Sequence, residues 1–298
     1  MRALKSILII GASGFVGKNL FEYLNAQKDK YIVFAPRSSE LDATDKDKVK
    51  VYLENRYFDV VINAAVHNPA TNPQRKCDEV LNNTLRIFYV FEKYSHLYGK
   101  MIYFGSGAEY DKSKELKNVS EEMIGLEIPK DDYGFAMYII NETIRNSENI
   151  YNLRLFGVYG KYEHFKSKFI SNICCKAVHD IHFSLRQNVY FDYLYIDDLC
   201  GIVEWFIDNK PKHKDYNVVS GKRIDLLSLA KKTIKITKKD LSIFVCNEGL
   251  GNEYTASNER LLKEIGDFKF TQIESGIKSL YEWYCMNKDK IDIYELLY

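Results

Sequence analysis

The chain has 298 residues and a formal net charge of +1. Its length is sufficient for a large buried core, in one domain or in one domain with a smaller lobe. The balanced charge argues against nucleic-acid binding, which needs a clustered excess of lysine and arginine. Because no apolar segment is long enough to span a membrane, we expect a soluble, cytoplasmic protein without a membrane partner.

Cysteine usage gives no indication of a metal site. The six cysteines form no C-x-x-C pair and have no metal-ligand spacing with the histidines. Isolated cysteines of this kind are typical of reduced thiols in a cytosolic protein. We therefore predict no bound metal.

Strands and helices alternate along the first half of the sequence. Apolar segments of strand length are SILII, YIVFAPR, FDVVINAA, KMIYFGSG and IYNLRLFGVYG. Helical patterns separate them, in GFVGKNLFEYLN, DKDKVKVYLEN, EVLNNTLRIFYVFEKYSH and the segment that contains Tyr133. This alternation predicts the α/β class with an open, doubly wound parallel Rossmann sheet.

Beyond Gly160 the alternation weakens and helical patterns dominate. Because no second Rossmann unit is visible there, we predict a smaller lobe that covers the carboxyl edge of the sheet, where ligands bind in such folds. We divide the chain into a dinucleotide-binding domain at 1–160 and a mainly substrate-binding lobe at 161–298. Some segments of the second part are expected to return to the first domain.

The most specific motif is a glycine-rich turn. Gly11, Gly14 and Gly17 follow the first strand at a spacing of three and three residues, directly before a helix. A dinucleotide pyrophosphate needs such a turn, because the glycines permit tight folding and close approach of the backbone. In this strand–turn–helix position the motif predicts a bound dinucleotide.

The end of the second strand decides between the two nicotinamide dinucleotides. NAD sites place an acidic residue there for the ribose 2′-hydroxyl, whereas NADP sites place an arginine for the 2′-phosphate. Residues 34–39 contain Arg37 followed by two serines, and the first acidic residue after the strand is Glu40. The pattern favours NADP(H), with NAD(H) as the less favoured cofactor.

These motifs together resemble the extended short-chain dehydrogenase/reductase family, also called the NAD-dependent epimerase/dehydratase family. The similarity covers nearly the whole chain and includes GASGFVG, LDATD, VVINAAV, NNTLRIF, FGSGAEY, LRLFGVYG and YLYIDDL. Within the family, the sequence is most similar to nucleotide-sugar 4-keto reductases such as GDP-fucose synthase and dTDP-4-dehydrorhamnose reductase. The resemblance implies a nucleoside diphosphate sugar as the substrate and a homodimer as the assembly.

The resemblance also implies a set of cofactor-binding residues. Contacts to the pyrophosphate are expected from Gly11, Ser13, Gly14, Phe15 and Val16. The adenosine end of the cofactor is expected at Arg37 and Ser38 for the phosphate and at Asp42 and Ala43 for the adenine. The ribose and phosphates are expected along Asn63, Ala64 and Ala65, and the site is completed by Tyr133 and Met137.

Catalysis in the family depends on a serine and on a tyrosine four residues before a lysine. Ser106 and Tyr133 match the serine and the tyrosine, but Met137 stands where the family has lysine. The resemblance implies substrate contacts from Ser106, Gly107, Ala108 and Tyr133, and His164 is expected to face the sugar. Many relatives have an arginine for the substrate diphosphate at the position of Phe191, and we expect the charge of Arg186 to replace it. Because methionine has no charge and no donor, we interpret the chain as a Lys-to-Met active-site variant with little activity.

Two absences narrow the expected chemistry. Family members that dehydrate sugars carry an Asp-Glu pair directly after the serine, and members that epimerise at C3 and C5 carry a cysteine at the position of Ala108. Here Gly107 and Ala108 follow Ser106, so neither set of proton-transferring groups is present. Hydride transfer alone remains, either as reduction of a keto sugar or as 4-epimerisation by oxidation and re-reduction. The resemblance, together with the expected NADP(H), implies NADPH-dependent reduction of a C4 keto group in bacterial surface polysaccharide synthesis.

Two alternatives stay open. A nucleotide-sugar 4-epimerase would oxidise and re-reduce C4 with bound NAD, although the second strand lacks the acidic residue typical of NAD sites. A non-catalytic dinucleotide-binding protein would keep the fold without the chemistry, and the methionine at position 137 is the feature that supports it.

Overall fold

The structure, a computed structural model, describes residues 4–67 and 76–296. The strands β1 to β13 are, in chain order, Lys5–Ile10, Tyr31–Phe34, Phe58–Asn63, Tyr98–Ser106, Leu116–Val119, Ile150–Leu155, Gly157–Tyr159, Phe183–Asn188, Tyr190–Tyr195, Asp215–Val218, Arg223–Asp225, Ile243–Leu250 and Tyr254–Ala256. The helices α1 to α9 are Phe15–Asn25, Lys46–Glu54, Val80–Glu92, Asp132–Arg145, Phe169–Val178, Ile196–Asp208, Leu226–Thr237, Glu259–Ile265 and Ile273–Met286.

The main sheet contains six strands in the order β10-β6-β4-β3-β1-β2, and each neighbouring pair is parallel. Strands β2 and β3 lie on opposite sides of β1, so the direction in which strands are added reverses at β1. In such sheets ligands bind in the crevice beyond the carboxyl ends of the strands at this reversal. The predicted α/β fold with an open parallel sheet is confirmed.

Helices cover both faces of this sheet because its strands are apolar on both sides. Ile7 of β1 lies in one core cluster together with Leu20 of α1 and Phe206 of α6. Leu8, the next residue of the strand, lies in the cluster on the opposite face together with Ile140 of α4. Successive side chains of a strand point to opposite faces, so one apolar strand joins two cores and the sheet is doubly wound.

The second half of the chain contributes strands to the main sheet and to a smaller sheet. Strand β10 extends the main sheet beside β6, and helix α6 packs in the same cluster as α1. The remaining strands form a smaller sheet in the order β11-β9-β13-β5, with β7 beside β9, and a separate pair of β8 and β12. Strand β5 comes from the first half, so the chain crosses between the two sheets more than once. The division at residue 160 into two functional domains stays a prediction.

Among residues 4–67 and 76–296, no helix combines the length and the apolar character needed to cross a membrane. Within the same ranges, no three His, Cys, Asp or Glu side chains are arranged to hold a metal ion.

A buried ion cluster connects the main sheet to the turn that follows β4. Arg154 of β6 is fully buried, and its Nε donates to Glu109 Oε2 at 2.6 Å. Its Nη2 donates to Asp215 Oδ2 of β10 at 2.9 Å, and its Nη1 donates to Asn217 Oδ1 at 2.9 Å. A buried guanidinium needs such partners, because desolvation of an unpaired charge costs several kcal/mol.

We expect Arg154→Met to lower the free energy of unfolding by about 3–5 kcal/mol, because it leaves the Glu109 carboxylate buried without its cation and removes one of the guanidinium partners of Asp215. Urea denaturation would measure the change. As a matched control, Lys232→Met breaks the exposed pair of Lys232 with Glu274 and should cost less than about 1 kcal/mol. Equal losses for the two variants would show that the buried cluster does not stabilise the fold.

Candidate functional site

A cavity of about 860 Å³ lies at the carboxyl edge of the main sheet. It is lined by residues at the ends of β3, β4 and β6, by the start of α1 and by residues of the smaller sheet. The predicted site residues that line it are Phe15, Val16, Ala64, Ala65, Ser106 and Tyr133. The cavity therefore brings the predicted dinucleotide turn and the predicted catalytic pair together.

The glycine turn has the close contacts that a pyrophosphate site requires. Gly11 has a φ of +84°, and a Cβ there would lie 2.7 Å from the Ala65 nitrogen. A Cβ on Gly17 would lie 2.3 Å from the Gly11 oxygen, so α1 lies close to the turn. Ser13 and Gly14 are exposed, and within the described chain a Cβ on Gly14 would meet only the Gly11 oxygen, at 3.4 Å. The turn is tight against the sheet and open at Gly14, which fits a phosphate group.

The start of α1 and the end of β3 both carry hydrogen-bond donors that a ligand could use. Gly14 is the N-cap of α1 and provides no side-chain hydrogen bond, so the first backbone N–H groups of the helix are available for an anion. Asn63, at the end of β3, is buried, and its Oδ1 accepts from the Ala65 N–H at 3.2 Å. Among the described residues, its Nδ2 has no hydrogen-bond partner. A ribose or phosphate oxygen would satisfy such a donor. The residues present therefore fit a dinucleotide.

The residues predicted for the adenosine end of the cofactor lie in and after the loop that follows β2: Arg37, Ser38, Asp42 and Ala43. Within the described chain none of the four lines the cavity. Arg37 is exposed, and its N–H donates to Glu40 Oε2 at 2.7 Å. Asp42 Oδ1 accepts from the Thr44 N–H at 2.9 Å, and this backbone hydrogen bond lowers the pKa of Asp42. Contact of these residues with a cofactor stays a prediction.

The predicted catalytic pair is positioned by a strand end and a helix start. Ser106 ends β4, Tyr133 lies in the first turn of α4, and both line the cavity. Asp131 caps α4 by accepting from the Gly134 N–H at 3.0 Å, which fixes the start of the helix. Burial raises the pKa of Tyr133 to about 12, and hydrogen bonding with the Ser106 hydroxyl opposes the shift. Tyr133 is therefore a neutral phenol at neutral pH and can donate a proton.

The turn after Ser106 is closed by a capping box. Ser106 Oγ accepts from the Ala108 N–H at 3.2 Å, and Glu109 Oε1 accepts from the Ser106 N–H at 3.2 Å. Burial raises the pKa of Glu109, and the Arg154 guanidinium opposes this shift. Gly107 and Ala108 are buried in the turn. Neither belongs to the described residues that line the cavity. Their predicted contact with the substrate stays a prediction.

Met137 lies one helical turn after Tyr133 and is 1% exposed. It belongs to an apolar cluster of the main sheet, and the Tyr103 hydroxyl donates to its sulfur at 3.2 Å. Burial raises the pKa of Tyr103 well above its usual value, so this phenol also stays neutral. Methionine thus fills a closed apolar site and leaves Tyr133 without an ammonium group at this position.

The cavity also contains polar residues that no sequence motif indicated: Lys112, Glu163 and Tyr254. Lys112 follows the serine turn, and its Nζ lies 5.8 Å from the centroid of the Tyr133 ring. Tyr254 belongs to a three-residue strand, which is too short to show a periodic pattern. Only the tertiary structure brings these residues to the site.

Two residues predicted to contact the substrate lie elsewhere in the described structure, since neither His164 nor Arg186 lines the cavity. His164 Nδ1 is hydrogen-bonded to Ser167 Oγ at 2.9 Å. Arg186 is exposed on β8, in the two-stranded pair. Lys168, four residues after His164, does line the cavity. The roles of His164 and Arg186 toward a substrate stay predictions.

Glu163 is a buried carboxyl group in the wall of the cavity, with 7% of its surface exposed. Its Oε2 accepts a hydrogen bond from the Ser171 hydroxyl. Burial raises the pKa of Glu163 to about 8, while Ser171 and Lys168 oppose the shift. The group is therefore mainly protonated at neutral pH and can both donate and accept hydrogen bonds.

Comparison with known proteins gives one family. The sequence profile of the NAD dependent epimerase/dehydratase family matches residues 7–219. Among characterised relatives, the GDP-L-colitose synthase of Yersinia pseudotuberculosis is 23% identical over 308 residues, covering 95% of this chain and 99% of that protein. The resemblance inferred from the sequence motifs is confirmed.

Solved structures with the same fold have low sequence identity. The GDP-mannoheptose C4 reductase of Campylobacter jejuni, with NADP bound, has a TM-score of 0.80 at 19% identity, over 95% of this chain and 99% of that chain. The dTDP-glucose 4,6-dehydratase of Bacillus anthracis, in complex with NAD, has a TM-score of 0.77 at 16% identity, over 96% and 98%. At these identities the similarity shows the fold.

The raised pKa of Glu163 predicts a pH-dependent stability. Between about pH 5 and pH 8 the folded state keeps a proton that the unfolded state has lost, so this group lowers the unfolding free energy by about 1.4 kcal/mol per pH unit. We expect the free energy of unfolding of Glu163→Gln to rise relative to that of the unmodified protein by about 1.4 kcal/mol for each pH unit between about pH 5 and pH 8. Urea denaturation at several pH values would measure the difference. Glu274→Gln is the control, because the lowered pKa of Glu274 keeps this carboxyl ionised in the folded and the unfolded state between about pH 5 and pH 8. Its effect on the free energy of unfolding should therefore not change with pH in this range. Parallel pH profiles for both variants would contradict a protonated Glu163.

Proposed function

Because the chain belongs to the NAD dependent epimerase/dehydratase family, we propose that it reduces the C4 keto group of a nucleoside diphosphate-linked sugar with NADPH. The observation that carries the proposal is the pair of Ser106 and Tyr133 hydroxyls, which share one cavity with the start of α1. In this arrangement a keto oxygen can meet both hydroxyls beside the dinucleotide turn.

The proposed reaction needs a hydride and a proton. A bound NADPH supplies the hydride, and the glycine turn with Asn63 would hold that cofactor. Tyr133 donates the proton to the sugar oxygen, and Ser106 orients the carbonyl group. Solvent replaces the Tyr133 proton after the product leaves. Gly107 and Ala108 carry no acid or base, so those positions do not support dehydration.

The names of the relatives support a nucleotide sugar as the substrate class. The colitose synthase and the mannoheptose reductase are named for GDP-linked sugars, and the dehydratase for a dTDP-linked sugar. A cavity of about 860 Å³ has room for a sugar beside a nicotinamide ring. By analogy with such enzymes, we propose a cytoplasmic homodimer that acts in bacterial surface polysaccharide synthesis.

Met137 makes the proposed reaction slow. An ammonium group about 4 Å from a phenol favours its ionised form by about 4 kcal/mol at an effective dielectric of about 20, or roughly three pKa units. Here burial raises the pKa of Tyr133 to about 12, and the uncharged side chain at position 137 does not oppose this shift. A phenolate that is poorly stabilised makes proton transfer to the sugar oxygen less favourable.

A second function, dinucleotide binding without catalysis, is favoured by the packing of Met137. Its sulfur accepts a hydrogen bond from Tyr103 inside an apolar cluster, so the surroundings of position 137 suit methionine. The intact pair of Ser106 and Tyr133 favours the reductase instead, because a protein that only binds a dinucleotide does not need both hydroxyls. Substitution at position 137 separates the two functions.

We expect Met137→Lys to raise the rate of NADPH consumption with a 4-keto nucleotide sugar by about tenfold to a thousandfold, because the ammonium stabilises the Tyr133 phenolate. Met137→Leu keeps the side-chain size without adding charge and should give no gain. The lysine variant should also unfold at a lower urea concentration, since it buries an ammonium beside Tyr103. If neither the unmodified protein nor the lysine variant turns over a keto sugar while both bind NADPH, the non-catalytic function takes the place of the reductase.

We expect Arg37→Ala to reduce the preference for NADPH over NADH by about tenfold to a hundredfold, because one charge-assisted hydrogen bond to the 2′-phosphate contributes roughly 1.5–3 kcal/mol. Titration of both cofactors would measure the ratio of dissociation constants. Arg56→Ala is the matched control. It also removes an arginine near the end of β2, since the Arg56 guanidinium lies 4.1 Å from the centroid of the Phe34 ring, but Arg56 is not predicted to contact the phosphate. An unchanged ratio in Arg37→Ala would mean that Arg37 is only a surface cation.

A further inference from the structure

Tyr254 is a second phenol in the cavity, beside the predicted catalytic pair. It begins β13 and lines the cavity together with Ser106 and Tyr133. Burial raises the pKa of Tyr254, and the Ser106 hydroxyl opposes this shift, so the two hydroxyls are neighbours. The Ser106 hydroxyl lowers the pKa of both Tyr133 and Tyr254, so it lies beside both phenols at the end of β4.

The surrounding structure fixes the position of Tyr254. Strand β13 lies between β9 and β5, where Tyr254 is in register with Phe191 and with Leu116. The Tyr254 ring centroid lies 4.9 Å from that of Phe156 and 5.8 Å from that of Phe191. A ring packed against two others on an inner strand has little freedom to move its hydroxyl away from Ser106.

Gly107 shows how closely Tyr254 approaches the serine turn. A Cβ on Gly107 would lie 2.3 Å from Tyr254 Oη and 2.7 Å from Phe156 Cδ1. The φ of Gly107 lies outside the left-handed region, so the position requires glycine for space and not for backbone conformation. The residue after Ser106 is small because the Tyr254 hydroxyl occupies the adjacent volume.

The hydrogen-bonding capacity of Ser106 restricts the direction of these bonds. A hydroxyl donates one proton and accepts at two lone pairs. Ser106 Oγ already accepts from the Ala108 N–H at 3.2 Å. Burial raises the pKa of Tyr254, so its hydroxyl has a proton to donate at neutral pH. When Tyr254 fills the second lone pair of Ser106, the Ser106 proton can only point to Tyr133 or to the substrate.

We propose that Tyr254 is a positioning residue that donates to Ser106 Oγ. The Ser106 proton is then free to meet the sugar carbonyl before the transfer and the phenolate left after Tyr133 has protonated the sugar oxygen. The hydrogen bonds run from Tyr254 through Ser106 to Tyr133, and only the Tyr133 proton is transferred. They supply part of the stabilisation that an ammonium group at position 137 would supply by charge. The inference rests on the proposed reductase function, because it concerns the same site.

Tyr254→Phe keeps the aromatic ring and removes only the hydroxyl. With a 4-keto nucleotide sugar, we expect kcat to fall about tenfold to a hundredfold while KM and the Kd of NADPH stay unchanged, because the lost bond supports a developing charge. In the Met137→Lys background the loss should be smaller, because the ammonium then stabilises the Tyr133 phenolate. Equal losses in both backgrounds, or a change confined to KM, would overturn the positioning role.

Tyr110→Phe is the matched control for the loss of a buried phenol. The Tyr110 hydroxyl donates to the Ser120 carbonyl at 3.0 Å and to Asn217 Oδ1 at 3.1 Å, and Tyr110 is outside the described lining of the cavity. This variant should unfold at a lower urea concentration and keep its kcat. A loss of kcat as large as that of Tyr254→Phe would show that the effect is not specific to Tyr254.

A second measurement does not depend on turnover. The double variant of Tyr254→Phe and Ser106→Ala should shift the urea midpoint by less than the sum of the two single shifts, because both single variants remove the same hydrogen bond. Additive shifts would refute that bond and the positioning role with it, even in an active reductase. Non-additive shifts in a protein that turns over no keto sugar would overturn the reductase function and the role of Tyr254 in it, while the hydrogen bond would stand.

Discussion

The geometry of the site depends on the buried ion pair between Arg154 and Glu109. Arg154 Nε donates to Glu109 Oε2 at 2.6 Å, and Glu109 Oε1 in turn accepts from the Ser106 N–H at 3.2 Å. The Asn152 side chain donates to the same carboxylate at 3.0 Å. Because charges buried this deeply must keep their partners, β6 and the turn after β4 cannot separate without exposing an unpaired charge to an apolar interior. The orientation of Ser106 follows from this constraint.

The same ion cluster extends into the second half of the chain through Asp215. Its carboxylate accepts from Arg154 at 2.9 Å and from Arg260 of α8 at 2.8 Å. Burial raises the pKa of Asp215, but the surrounding guanidinium groups lower it on balance, so the carboxylate is ionised at neutral pH. Since α8 follows β13 closely in the chain, the charges that fix α8 to the main sheet also fix the strand that carries Tyr254. Charge and apolar packing therefore both connect the two sheets.

Local sequence was sufficient to predict the parallel sheet and the glycine turn, because both depend on patterns within a few residues. The ion pair was not predictable in this way, because Arg154 and Glu109 are 45 residues apart and charged residues are usually exposed. Arg186 was selected for its charge, yet it is exposed on β8. Side chains alternate along a strand, so a single residue cannot be assigned to one face before the pairing of the strand is known. Tyr254 required the tertiary structure for the same reason.

The surroundings of Tyr133 oppose the charge that a reductase must place on it. Burial, Glu109 and Asp131 all raise its pKa, and hydrogen bonding with Ser106 lowers it. Met137, in contact with Tyr103, closes the position from which a cation would act. Coulomb attraction declines slowly with distance, whereas a hydrogen bond weakens steeply with misalignment. A site that relies on hydrogen bonds in place of a charge therefore needs a rigid support, and the buried Arg154 provides that support through the serine turn.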